Sequence, residues 1–202
     1  MKYIQFLLIS ACCSLILLLP TACKKPCDKA DCGTYGNCRE VDDEAVCTCD
    51  VGWEKNSSEL CEIRSTDKFS GTWAVAASCT DQVSFDRESL TYTVDITAED
   101  PEVNVRRIYI QGLGDLPECL DGSPIDQVLA DVSINSITIG ALTYCANQAK
   151  QFSGFKFSAS NGSINTAHDE ISLDYRVAWT KLNDSGELES VDWLCESTWT
   201  KP

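Results

Sequence analysis

Six cysteines crowd one short stretch, in the order Cys27-x4-Cys32-x5-Cys38-x8-Cys47-x-Cys49-x11-Cys61. A segment this short, with so few apolar residues between its cysteines, cannot bury a core of its own. Cross-links must replace that burial, each typically contributing ~2–4 kcal/mol by restricting the unfolded chain. The spacing alone leaves the connectivity open. A zinc site built from these thiolates is opposed by the spacing and by the signs of export described below.

The second half of the stretch reads Cys47-x-Cys49-x2-Gly52-Trp53-x7-Cys61, and Gly33, Tyr35 and Gly36 lie in the first half. On these residues segment 27–62 resembles the EGF-like domain. The resemblance implies bridges Cys27–Cys38, Cys32–Cys47 and Cys49–Cys61 in a small two-hairpin fold. Calcium-binding members place acids and an amide just before the first cysteine. Here Lys24, Lys25 and Pro26 stand there instead, so no calcium is expected. The acidic run Asp42-Asp43-Glu44 reads as a solvated loop.

Upstream, Lys2 is followed by an apolar run from Tyr3 to Leu19 and then Pro20-Thr21-Ala22-Cys23. This is the plan of a secretory signal. Ala22-Cys23 resembles the lipobox of bacterial lipoproteins, in which the cysteine is lipidated and the signal cleaved just before it. Pro20 departs from that pattern. Ile9-Ser10-Ala11-Cys12 fits it more literally, but cutting there would leave Leu15 to Leu19 unexplained. The readings that compete are an ordinary secretory signal and an uncleaved anchor. Removing Cys12 and Cys13 with residues 1–22 leaves eleven of thirteen cysteines, an odd number. A lipidated Cys23 at the head of a 23–26 tether leaves ten, enough for five disulfides in an oxidising compartment. Lys24-Lys25 after it resembles lipoproteins sent on to the outer membrane. The expected address is therefore a membrane-anchored lipoprotein at the outer membrane or cell surface.

From residue 66 to 202 the cysteines thin out and alternation begins. Trp73, Val75, Ala77 and Cys79 share one parity, as do Leu90, Tyr92, Val94, Ile96 and Ala98. So do Ile171, Leu173, Tyr175, Val177 and Trp179, and Val191, Trp193, Cys195 and Trp199. Further runs cover Val103–Gln111, Gln127–Ile134, Ser136–Gly140 and Gln151–Ala159, the first with a parity switch that suggests a bulge near Arg106-Arg107. Turn signals stand at Asp100-Pro101, Asp121-Gly122-Ser123-Pro124, Asn161-Gly162 and Asp184-Ser185-Gly186. About eight antiparallel strands fit an up-and-down barrel or a sandwich, so the expected class is mostly β. Gly71-x-Trp73 resembles the Gly-x-Trp signature of lipocalin-type barrels, and the whole arrangement resembles bacterial surface lipoproteins that join an EGF-like module to such a domain. Cys79 and Cys195 lie on inward parities of the first and last strands and are expected to pair. Cys119 and Cys145 would then form the second bridge by elimination.

No catalytic constellation stands out. His168 sits in an expected hairpin turn with no nucleophile motif beside it. Acid pairs such as Asp81 with Asp86, or Glu187 with Glu189, are ordinary in a chain with 31 acids. The asparagines of Asn56-Ser57-Ser58, Asn161-Gly162-Ser163 and Asn183-Asp184-Ser185 form sequons that matter only in a glycosylating host. Trp53 is the tryptophan expected to be exposed for contact, while Trp73, Trp179, Trp193 and Trp199 follow core parity. A net charge of −15 argues against nucleic acid as a partner. The expectation is a non-catalytic, lipid-anchored binding protein for a surface protein or glycan, with no cofactor. The alternative is a carrier holding a small apolar ligand in the barrel interior.

Overall fold

The computed structural model describes residues 25–115, 127–144, 155–158, 160–182 and 185–202. The expected lipid site at Cys23 and the expected Cys119–Cys145 bridge lie outside these residues, as does the turn signal at Asp121–Pro124.

The cysteine-rich segment forms two hairpins. Strands β1 (Gly36–Val41) and β2 (Glu44–Cys49) pair antiparallel, and so do β3 (Trp53–Lys55) and β4 (Cys61–Arg64). The first hairpin turns through Asp42 and Asp43, both at positive φ (50° and 62°), the conformation a tight two-residue hairpin turn requires. Disulfides join Cys27 to Cys38, Cys32 to Cys47 and Cys49 to Cys61, the pairing that the EGF-like resemblance implies. Only Cys32 and Cys61 are buried among the described residues of segment 27–62.

A closed eight-strand antiparallel barrel follows. Its strands are β5 (Gly71–Asp81), β6 (Arg87–Ala98), β7 (Arg107–Gln111), β8 (Val128–Ser133), β9 (Ser136–Ile139), β10 (Leu142–Tyr144), β11 (Phe155–Phe157), β12 (Ser160–Ile164), β13 (Glu170–Leu182) and β14 (Leu188–Thr200). Two strands are broken, which reconciles ten segments with eight staves. Segments β11 and β12 pair with different lengths of β13, while β9 and β10 pair with β12 and β11 respectively. The chain runs as a meander, and β14 closes the ring by pairing with both β13 and β5. Closure removes the exposed edges that an open sheet would leave, and it decides for the barrel over the sandwich.

The alternation read from the sequence is what makes this closure stable. Trp73, Val75, Ala77 and Cys79 point inward, as do Ile171, Leu173, Tyr175 and Val177 of β13 and Cys195 and Trp199 of β14. Tyr92 and Tyr175 meet across the interior, hydroxyl to hydroxyl at 2.9 Å, and burial pushes the Tyr175 hydroxyl pKa up. Outward positions carry Thr91, Thr93, Asp95, Ser172, Asp174 and Thr198, all exposed. A barrel facing lipid would show an apolar band there. Among the described residues no helix is long and apolar enough to cross a membrane.

Two expectations about this region need correction. The run Val103–Gln111 is not one bulged strand: Pro101–Asn104 forms a short helix, α1, and the strand starts only at Arg107. Asp100 caps the helix by accepting from the Glu102 N–H at 2.9 Å, and Pro101 occupies the first turn, where its missing N–H costs nothing. Val103, the first residue of that run, is 71% exposed. Nor is Asn161-Gly162 a turn. Gly162 lies inside β12, where a Cβ would come within 2.5 Å of the Ser172 carbonyl oxygen and 2.9 Å of Leu173 Cδ1. Glycine serves close strand approach there, not chain reversal.

Candidate functional site

The two ends of the barrel differ in what the chain has built on them. At one end stand the cysteine-rich hairpins and the linker. Strand β4 runs into a 3-10 turn, Ser65–Lys68, which leads straight into β5. Arg64 donates to three backbone carbonyls of the β6–β7 connection: Val105 at 3.3 Å, Asn104 at 3.5 Å, and Glu99. Lys68 is buried, and its ammonium donates to Glu54 of β3 at 2.8 Å and to the Asn135 side chain at 2.9 Å. Gly52 holds φ at +87°, and a Cβ there would fall 2.6 Å from Val105 Cγ1. Lys201 closes the joint by donating to the Lys68 carbonyl at 3.1 Å while lying 4.8 Å above the Trp73 ring. The hairpins are thus seated on the barrel through ion pairing, backbone capture and close packing.

At the opposite end the inward positions change character. Along β5 the inward series Trp73, Val75, Ala77 and Cys79 ends in Asp81, and along β6 the series Ile96, Val94, Tyr92 and Leu90 ends in Glu88. Along β14, Trp199, Ser197, Cys195, Trp193 and Val191 lead to Glu189. Three adjacent strands therefore finish in a carboxylate at the mouth. Below them Trp179 packs edge-on against Trp193, centroids 5.1 Å apart at 81°, and Phe155 lies 5.5 Å from Trp179. All of these but Phe155, with Ser84, Asp86 and Arg87, line a concavity of about 330 Å³. The Cys79–Cys195 disulfide ties β5 to β14 just beneath, joining residues directly opposite in the register.

The β5–β6 turn forms one side of this mouth and is held from within. The Asp81 carboxylate accepts from the Val83 N–H at 2.9 Å and from the Ser84 hydroxyl at 3.1 Å. The Gln82 N–H donates to the Asp192 carbonyl at 2.7 Å, fastening the turn to β14. Held this way, the turn exposes Val83 and Phe85, 57% and 75% accessible, with Phe85 at φ +63°, a conformation bulky residues avoid. A larger concavity of about 620 Å³ lies along the outer wall over Ala76, Ser78, Ser89 and Thr91. Among the described residues, Asp174 and Glu196 are its only charged lining groups, and no aromatic ring lines it.

Trp53, expected to be exposed, is half-buried, because Tyr35 stacks on its face at 3.4 Å with the rings 7° from parallel. His168 lies exposed in the β12–β13 turn at φ +60°, at the end of the barrel that carries the hairpins. Asp81 and Asp86 do share one turn, where the Asp81 carboxylate organises backbone and hydroxyl donors. The rim carboxylates Glu88 and Glu189 were not singled out together from the sequence, although each continues the inward parity of its strand.

No family model matches this chain, and no curated protein matches it. Among solved structures it is similar to a point mutant of the vaccine antigen transferrin binding protein B from Haemophilus parasuis, at 15% identity and a TM-score of 0.30. The match covers 83% of this chain and 37% of that one, so the chain spans little more than a third of that protein's length.

Proposed function

We propose that this chain is an exported, lipid-anchored binding protein of the cell envelope that performs no covalent chemistry. In this reading Cys23 carries the lipid, an EGF-like module forms a rigid pedestal, and the barrel offers its far mouth to a surface protein or glycan. One observation carries it: the hairpins and linker sit at one end of the barrel, and the carboxylate-rimmed aromatic mouth opens at the other. An anchor near the hairpins would point the mouth away from the membrane. The four disulfides among the described residues support an oxidising compartment, and the polar outer wall supports a barrel surrounded by water. The carrier alternative is less favoured, since Tyr92 and Tyr175 occupy the middle of the interior.

The test is the intact mass of the protein from its native membrane, before and after reduction with alkylation. The expected species begins at an acylated Cys23, with its other cysteines blocked until reduction. A chain starting elsewhere, with a free Cys23 thiol, would remove the anchor and with it the pedestal reading.

A further inference from the structure

We propose that the mouth binds a cationic side chain, the lysine or arginine of a basic segment on a partner protein, between the carboxylates of Asp86, Glu88 and Glu189 and the half-buried ring of Trp193. The argument begins with parity. Buried inward positions on the strands elsewhere carry no charge, being apolar apart from Ser160 and Ser197, so carboxylates that continue the inward series of β6 and β14 place negative charge over the aromatic floor. Ammonium and guanidinium groups are attracted both by carboxylates and by the faces of aromatic rings. Among the described residues, neither Asp86 nor Glu88 has an ion-pair partner. Arg87, the one described cation lining the concavity, belongs to the outward parity of β6.

Other occupants fit less well. A sugar ring needs an accessible flat ring face, but Trp179 is only 9% exposed and meets Trp193 edge-on. An apolar ligand entering deeper would meet the Cys79–Cys195 bridge and the paired tyrosines. Among the described residues no three metal-ligating side chains converge. The chain's charge of −15 would speed encounter with a basic surface, and exposed Phe85 and Val83 beside the mouth supply apolar contact for a polypeptide.

This inference rests on the display reading in that it needs an accessible mouth, but the titration below reads the mouth alone. A mouth that ignores the probe leaves the mass test of the anchor unaffected. The probe is a hexa-arginine peptide, titrated into the purified full chain with its disulfides intact and followed by tryptophan fluorescence at low and physiological salt. The test variant leaves alone Glu189, whose backbone is opposite residue 181 in the β13–β14 register. It combines Asp86→Asn with Glu88→Gln, which removes charge while keeping shape. The control combines Asp42→Asn with Asp43→Asn, which removes the same charge from the exposed hairpin tip.

The mouth variant is expected to weaken binding about tenfold and the tip variant less than about twofold, with affinity falling as salt rises. Equal losses in both variants would reduce the effect to net charge and overturn the site. Binding of a neutral chitooligosaccharide, insensitive to salt and to the mouth variant, with no response to hexa-arginine, would overturn it in favour of a glycan. Absence of hexa-arginine binding at low salt would overturn it outright. Circular dichroism of each variant shows whether it is folded, and Glu88→Ala serves as a second mouth variant should the double substitution fail to fold.

Discussion

The hairpin segment and the barrel solve the same problem by different means. In the segment, disulfides recur at separations of 11, 15 and 12 residues, and only two of its described residues, both cysteines, are buried. In the barrel, one described disulfide spans 116 residues, while a continuous cluster from Phe69 to Trp199 fills the interior. A short chain has too much surface for its volume, so constraint of the unfolded state takes the place of apolar transfer. The barrel has volume enough for burial to dominate, and its disulfide adds to a structure that already holds. The difference teaches where each region is vulnerable: the segment to reductant, the barrel to cavities.

The strongest way to break this comparison is to make a cavity. Trp73 is fully buried, donates its indole N–H to the Phe69 carbonyl at 2.7 Å, and lies beneath Lys201. Trp73→Ala is expected to destabilise the barrel by ~3–5 kcal/mol, read as a shift in urea midpoint at unchanged slope. A loss below about 1 kcal/mol would mean that burial does not hold the barrel. Next comes Cys79→Ala with Cys195→Ala, expected to cost about 2–4 kcal/mol while the barrel still folds. Cys32→Ala with Cys47→Ala should instead abolish protected amides in β1 and β2, measured by hydrogen exchange. If the first pair unfolds the barrel, or the second leaves its hairpin protected, the division between the two regions is wrong.

Much of this was legible in the sequence for a physical reason: side-chain period two maps directly onto inside and outside. The inward series of β5, β6, β13 and β14 appear as read, and Cys79 faces Cys195 because first and last strands must meet when a barrel closes. Legibility failed where local chemistry competes. Asp100-Pro101 reads as a turn or as a helix start, and only the capping bond to Glu102 distinguishes them. Asn161-Gly162 carries a turn signature, yet the glycine is needed for a neighbouring strand that the sequence cannot position. Trp53 looked free because nothing in linear order places Tyr35 on its face. The rim carboxylates were visible as a continuation of parity, but acids at strand ends are so common that only closure reveals three of them over one aromatic floor.

The joint between the regions supplies the third test, because it depends on neither disulfides nor the main core. Lys68→Met removes the cation from between Glu54 and Asn135 and leaves Glu54 without its partner. Leaving the half-buried Glu54 carboxylate unpaired is expected to cost about 2–3 kcal/mol, below the ~3–5 kcal/mol of a fully buried pair, and the loss should be concentrated at the joint. Hydrogen exchange should quicken in β3 and β4 while β13 and β14 keep their protection. A uniform loss across both regions would show that they unfold as a single unit.

The smallest expected effect concerns charge on the barrel wall. Arg176 on β13 pairs with Asp192 on β14, Nε donating to Oδ1 at 2.7 Å, and that hydrogen bond holds the Asp192 carboxyl below the usual carboxylate range. With a native pKa below the unfolded one, the folded state binds fewer protons through that window. The contribution is therefore complete above the ordinary aspartate value and is lost as pH falls through the native value. Arg176 is half exposed, so solvent screens the pair and the effect stays modest. Arg176→Gln should lower the urea midpoint slightly at pH 7, and the gap to the unmodified protein should close in acid. A gap that persists unchanged at the lowest pH would assign the loss to packing of the arginine stem instead of to charge. Because the Asp192 carbonyl also receives the Gln82 N–H, the same variant should loosen the β5–β6 turn, raising exchange at Gln82 before any change appears in the disulfide-bound hairpins.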